Sequence, residues 1–217
     1  MSKHAFWQAF IFAVIVFSLG IMFGFFLELR QSEGIYSNLV DSELNILDEQ
    51  LRQRIISDYN VSCEISKASL FNFADKIYED ALALEESDGT GRLSDLTILH
   101  KRYDLLRTLL LFEAEKLKQR CNGDFHIVVY FYEYNSEDID VVSRQNYFSR
   151  QLFDLKSEYP DEIILIPIAV DTGVASVDLI LKSKNISEYP LIIVDDYVFI
   201  DEFSTLVQLE DLAFKTG

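Results

Sequence analysis

Two stretches decide the fold: Phe125–Tyr132, FHIVVYFY, and Glu162–Val170, EIILIPIAV. Both are short, rich in β-branched and aromatic residues, and apolar on both faces. That pattern suits strands covered on both sides better than half-exposed ones. Between them, Asp140–Ser157 carries Val141, Val142, Gln145, Phe148, Leu152 and Leu155 at helical steps. Beyond them, Val174–Lys184 reads as a short helix. Leu191–Val194 and Tyr197–Ile200 read as strands joined by Asp195-Asp196, a two-residue hairpin turn. Ser204–Lys215 closes the chain as a helix, with Ser204 as its N-cap. The expected order over residues 122–217 is β-α-β-α-β-β-α, a mixed α/β or α+β domain.

Upstream the period is helical throughout. Val40, Leu44, Leu47, Leu51 and Ile55 recur at three- and four-residue steps, as do Leu70, Phe73, Ile77, Ala81 and Leu84. A third stripe runs through Leu96, Leu99, Tyr103, Leu106, Leu110 and Leu117, and no proline occurs between Met1 and Tyr159 to break these helices. Ser87-Asp88-Gly89-Thr90-Gly91 is the turn that folds the second and third stripes into an antiparallel hairpin. Residues 31–121 are thus expected to form a helical stalk. The only cysteines, Cys63 and Cys121, fall at the same end of that hairpin, where a bridge closes it. Two free buried thiols are the alternative. A catalytic pair is disfavoured, because the two do not share a Cys-x-x-Cys turn that lowers a thiol's pKa.

At the other extreme, Ala5–Leu27 is an uncharged run of about twenty-three residues, long enough to span a bilayer core at ~1.5 Å per residue. Ser18-Leu19-Gly20 imitates a signal-peptide cleavage site, but the apolar run continues to Leu27, so residues 1–30 read as an uncleaved signal-anchor. Lys3 on one flank and Arg30 on the other leave orientation undecided. Two other features set it. An even cysteine count suits an oxidising compartment, and Asn60-Val61-Ser62 and Asn185-Ile186-Ser187 are glycosylation sequons. Together they favour a single-pass protein with a cytoplasmic amino terminus and an extracytoplasmic carboxyl-terminal domain. Gly20-x-x-x-Gly24 either lets two such helices approach closely or is simply tolerated in lipid. The first helical stripe offers the same choice between intramolecular core and a homodimer seam.

The charge is −17, about −6 of it over residues 28–120 and about −12 over residues 121–217. No basic patch is present, which excludes a nucleic-acid partner. The three histidines, His4, His100 and His126, have no ligand-like spacing, so no metal is expected. Neither a Gly-x-Ser-x-Gly elbow nor a phosphate-cradling glycine loop occurs, and no cofactor is expected. Asp171 and Asp195-Asp196 stand at strand ends, where acids more often cap turns than catalyse.

The element order, together with Ile186-Ser187-Glu188-Tyr189-Pro190-Leu191-Ile192-Ile193-Val194, resembles the thioredoxin superfamily, in which a cis-proline precedes the third strand. Asp195-Asp196-Tyr197-Val198-Phe199-Ile200-Asp201-Glu202-Phe203 is similar to that family's hairpin and its lead into the last helix. The resemblance implies a thioredoxin-like domain over residues 122–217, a cis bond at Pro190, and a peptide-pairing backbone at Tyr189 facing Tyr134, Asn135 and Ser136. It also shows a departure. Where active members carry Cys-x-x-Cys, this chain has Tyr134-Asn135-Ser136-Glu137-Asp138-Ile139-Asp140, without cysteine and with acids that raise the pKa of a neighbouring thiol. The functional expectation is a non-enzymatic, membrane-anchored interaction protein whose redox-inactive domain binds a protein or peptide. The alternative is a thiol–disulfide oxidoreductase-related factor working through Cys63 and Cys121.

Overall fold

A computed structural model describes residues 3–87, 93–200 and 206–214. The chain divides into two compact units, Met1–Arg52 and Gln53–Gly217.

Helix α1 (Lys3–Asp58) supplies the first unit and runs through Gly34 without a break. One glycine costs a helix only about 1 kcal/mol, and no proline is present to end it. Every described residue from Phe10 to Gly24 is exposed, and a Cβ placed on Gly20 or Gly24 would meet nothing within 4 Å. Among the described residues no helix is long and apolar enough to cross a membrane. Within the run Ala5–Leu27, the side chains of Ala5, Phe6, Ala9, Phe25, Phe26 and Leu27 fall outside the described set. The bilayer span expected there is therefore not shown.

The second unit is a four-stranded sheet between helices. After α2 (Cys63–Ser87) and α3 (Leu93–Cys121) come β1 (His126–Tyr132), α4 (Ile139–Glu158), β2 (Ile163–Ala169), α5 (Ala175–Ser183), β3 (Leu191–Val194), β4 (Val198–Ile200) and α6 (Leu206–Phe214). The strands lie in the order β2-β1-β3-β4. β1 and β2 are parallel, with Val128 opposite Leu165; β3 runs antiparallel to β1, and β4 antiparallel to β3. This is the element order expected from the sequence, with a parallel βαβ half followed by a ββα half. The Asp88–Gly91 turn and Ser204 lie outside the described residues.

Alternation along each strand sorts the core into two layers. On one face Val128, Tyr130, Ile163, Ile192, Val194 and Ile200 pack with Phe148, Leu152 and Leu155 of α4 and Leu209 of α6. On the other, Ile127, Val129, Phe131, Ile164, Ile166 and Ile168 are buried beneath α3, which contacts β1, β2 and α5. The α2–α3 hairpin therefore does not stand apart as a stalk. Its stripe of Leu106, Leu110, Leu111, Ala114 and Leu117 is buried, because the sheet's second face needs the cover that α5 alone is too short to give. Cys63 and Cys121 are joined in a disulfide at the open end of this hairpin.

Local chemistry sets the ends of the elements. Asp138 caps α4 by accepting from the backbone N–H groups of Asp140 and Val141. The β3–β4 turn has positive φ at both Asp195 and Asp196, and the N–H of Tyr197 closes it onto the carbonyl of Val194. It takes one residue more than expected, so β4 starts at Val198.

Candidate functional site

The residues singled out in the sequence fall at opposite ends of β1. At its entry lie the disulfide and an ionic cluster. Oδ2 of Asp195 accepts from Nδ1 of His126 at 2.7 Å, while its Oδ1 accepts from the N–H of Ile127 at 2.9 Å and lies 2.5 Å from Nζ of Lys118. Burial alone would raise the pKa of Asp195. The hydrogen bonds from His126 and Ile127, with the Lys118 charge, outweigh it and hold the carboxyl below its ordinary value. His126 is thus tied to the hairpin turn, and its ring meets the edge of Phe214.

At the exit of β1, the loop that lacks the cysteines is clamped. Both oxygens of Asp171 accept backbone N–H groups, those of Tyr134 and Asn135, each at 2.7 Å. The Tyr134 ring stacks on His100 of α3 with centroids 3.8 Å apart. One residue earlier, the Gln145 side chain makes a two-way clamp on Glu133, accepting from its N–H at 2.7 Å and donating to its carbonyl at 3.0 Å. Asp171 therefore caps the turn, as an acid at a strand end often does.

The Tyr189–Pro190 bond is cis. The Tyr189 carbonyl, expected to face an added peptide chain, accepts from Nη2 of Arg144 at 3.0 Å. The other route for strand addition is the outer edge of β2. There the odd-numbered residues turn their backbone groups away from β1. Ala169 gives its N–H to Asp104 at 3.1 Å, Pro167 has none, and Ile163 gives its N–H to the Tyr159 carbonyl and accepts from Lys156. Three of the four outward positions offer no donor to another strand, which is how edge strands are kept from pairing further.

Asp104 is the residue that sequence reading missed. It sits inside the apolar stripe of α3, 1 % exposed, and accepts from Ala169 N–H and from Thr172 Oγ1 at 2.7 Å. Burial raises its pKa, opposed by those two hydrogen bonds and by Arg107 and His100. It fastens the helical hairpin to the end of β2.

No protein-family model matches the chain, and no curated protein matches it. Among solved structures, thioredoxin O2 from Arabidopsis thaliana in the oxidised state aligns at 17 % identity with a TM-score of 0.32, over 48 % of this chain and 85 % of that one. The β-α-β-α-β-β-α order and the β2-β1-β3-β4 sheet are read from the strands themselves.

Beside the clamped loop a groove of about 690 Å³ opens between α2 and α4. Tyr130, Tyr132 and Leu165 of the sheet line it, with Tyr78 of α2 and Phe153 of α4 on facing helices, and Tyr134 and Ser136 line it too. Of the four residues expected to form a peptide site, the groove thus takes Tyr134 and Ser136, while Asn135 and Tyr189 are not among its lining residues. Asn60 and Asn185 are both exposed, each with positive φ. Among the described residues no group of His, Cys, Asp or Glu could hold a metal ion; the side chain of His4 lies outside them.

Proposed function

We propose that this protein is a membrane-anchored, non-enzymatic interaction module whose thioredoxin-like domain binds a protein or peptide partner without thiol chemistry. One observation carries the reading. The two cysteines are bonded to each other at the entry of β1, and the loop where thiol exchange would take place lies at its exit. Seven residues of strand separate them by about 20 Å. The groove beside the loop offers a place for a partner. The uncharged run Ala5–Leu27 serves as the anchor, since its described stretch Phe10–Gly24 is exposed throughout and a helix of that composition needs an apolar surrounding. The exposed sequons at Asn60 and Asn185 and the disulfide support an amino terminus inside and the second unit outside. The uncovered Gly20/Gly24 face leaves room for a second copy of the chain.

Exposure of Cys63 favours one second reading, an oxidoreductase-related factor working through Cys63 and Cys121. Insulin reduction by the full chain in nanodiscs separates the two. The expected rate is that of dithiothreitol alone, with free thiols appearing in graded redox buffers only when the protein unfolds. Efficient insulin reduction, or a bridge that opens in the native protein under mild reductant, would overturn the proposal in favour of the second reading.

A further inference from the structure

The groove between α2 and α4 contains a guanidinium, that of Arg107, which lies 6.0 Å from the centroid of the Tyr103 ring and meets its carboxylate partner only at long range. Arg107 reaches in from α3, and its side chain is only 12 % exposed. Among the described residues its ion-pair partner is Asp104, whose nearer oxygen lies 3.9 Å away. That carboxylate is already committed to Ala169 N–H and Thr172 Oγ1, and burial favours its protonated form. A guanidinium removed from water costs free energy unless an anion meets it with good geometry, and Asp104 does so poorly. The other cation of the groove, Lys156, is occupied: its Nζ donates to the carbonyls of Pro160 and Ile163 at 2.6 and 2.9 Å. Asp75, near Lys156, offsets that charge at the same end. The rest of the lining mixes aromatic and apolar side chains with the carboxylate of Glu133 and with uncharged serine and amide groups, and Tyr78 and Phe153 stand partly exposed on the two facing helices.

We propose that this groove binds the carboxyl-terminal residue of a peptide, a single carboxylate on Arg107 with an aromatic or large apolar side chain among Tyr78, Tyr130, Leu152 and Leu165. The volume is that of a site for one or two residues, not for a folded domain. Charge complementarity picks the carboxylate, because a guanidinium fork matches it with two parallel hydrogen bonds. The acids Asp75 and Glu133 in the lining reject a more highly charged anion such as a phosphate. Recognition by side chains also agrees with the backbone, since the β2 edge and the Tyr189 carbonyl are already engaged. The inference rests on the reading of the domain as a binding module and names its ligand.

Equilibrium dialysis of the full chain in nanodiscs tests it, with acetyl-Gly-Ser-Gly-Ser-Phe as the free acid, the same peptide as its amide, and 3-phenylpropionate as a free small acid. The acid peptide is expected to bind about tenfold or more tightly than the amide. Arg107→Gln should abolish that preference, and Arg107→Lys should keep part of it. Far-UV circular dichroism and an unchanged free-thiol count establish that both variants fold. Equal binding of acid and amide, a preference that survives in Arg107→Gln, binding of 3-phenylpropionate but not of the peptide, or no binding at all would each overturn the proposal. The wider reading fails differently: it falls with insulin reduction, and it stands if a crosslinked partner is captured while these peptides fail.

Discussion

The two ends of β1 are closed by different means. At the entry a covalent bridge ties α2 to α3, and Asp195 gathers Lys118, His126 and the Ile127 N–H around one carboxylate at the hairpin turn. At the exit nothing is covalent. Asp171 holds two N–H groups of the β1–α4 loop, and Asp104 holds the end of β2. The entry spends its charged groups on one another. The exit leaves a guanidinium loosely paired in an open groove. The contrast assigns stability chiefly to the first end and binding to the second, and each assignment can be broken separately.

The largest effect belongs to the bridge. Closing a loop of 58 residues restricts the unfolded chain by ~4 kcal/mol in the chain-entropy model. Replacing both cysteines, as Cys63→Ser with Cys121→Ser, should lower the melting temperature by roughly 10 °C. Binding at the groove should change little, because that end of the sheet is built by other contacts. If peptide binding fell in parallel while the protein remained folded, the division between the ends would not hold.

The second effect lies at the exit. Asp104→Ala leaves the Ala169 N–H and the Thr172 hydroxyl buried without their acceptor, a loss of about 3 kcal/mol measurable by urea unfolding. The two carboxylates should also respond to pH with opposite signs. Asp195 has a lowered pKa in the folded protein, so the stability it adds is complete above its ordinary 3.8 and is lost as pH falls from there through the folded value. Asp104 has a raised pKa, so the folded protein holds that proton more tightly than the unfolded chain does. Stability then rises as pH falls through the folded value of Asp104 toward 3.8, and declines as pH rises through the same window. Subtracting the pH–stability curves of Asp195→Asn and Asp104→Ala from that of the wild type should give slopes of opposite sign. Slopes of one sign would mean that the two ends do not differ electrostatically.

Much of this fold was legible because its signals are local. FHIVVYFY and EIILIPIAV announce strands covered on both faces, and the stripes of α3 and α4 give their buried sides. The turn at Asp195-Asp196 could be read from two residues that tolerate positive φ. What sequence could not give depends on packing between distant segments. Asp104 looks like one polar residue in a helical stripe, and its partners Ala169 and Thr172 follow more than sixty residues later. The groove exists because α2 lies opposite α4 across the edge of the sheet, an arrangement that no period encodes. For the same reason the hairpin reads as a stalk from its sequence: its apolar stripe shows that a cover exists but does not name it. Asp171 was legible as a turn cap, and Tyr134 and Asn135 as the wall of a site. That the first holds the other two appears only in three dimensions.

The smallest effect is the one that tests the softer end directly. Asp171 is exposed, so its two hydrogen bonds compete with water and together add only about 1 kcal/mol. Asparagine keeps one acceptor and turns an amide toward the other N–H, so Asp171→Asn should release half of the clamp without opening a cavity. Global stability should barely change. Amide exchange at Tyr134 and Asn135 should quicken, while Glu133, held by Gln145 Oε1 at 2.7 Å, serves as the unaffected neighbour. Because Tyr134 and Ser136 line the groove, the carboxyl-terminal peptide should also bind more weakly, by less than the loss seen for Arg107→Gln. If Asp171→Asn destabilised the whole protein as much as removal of the bridge, the exit would be as rigid as the entry, and a loop free to adjust around a ligand would be the wrong picture of it.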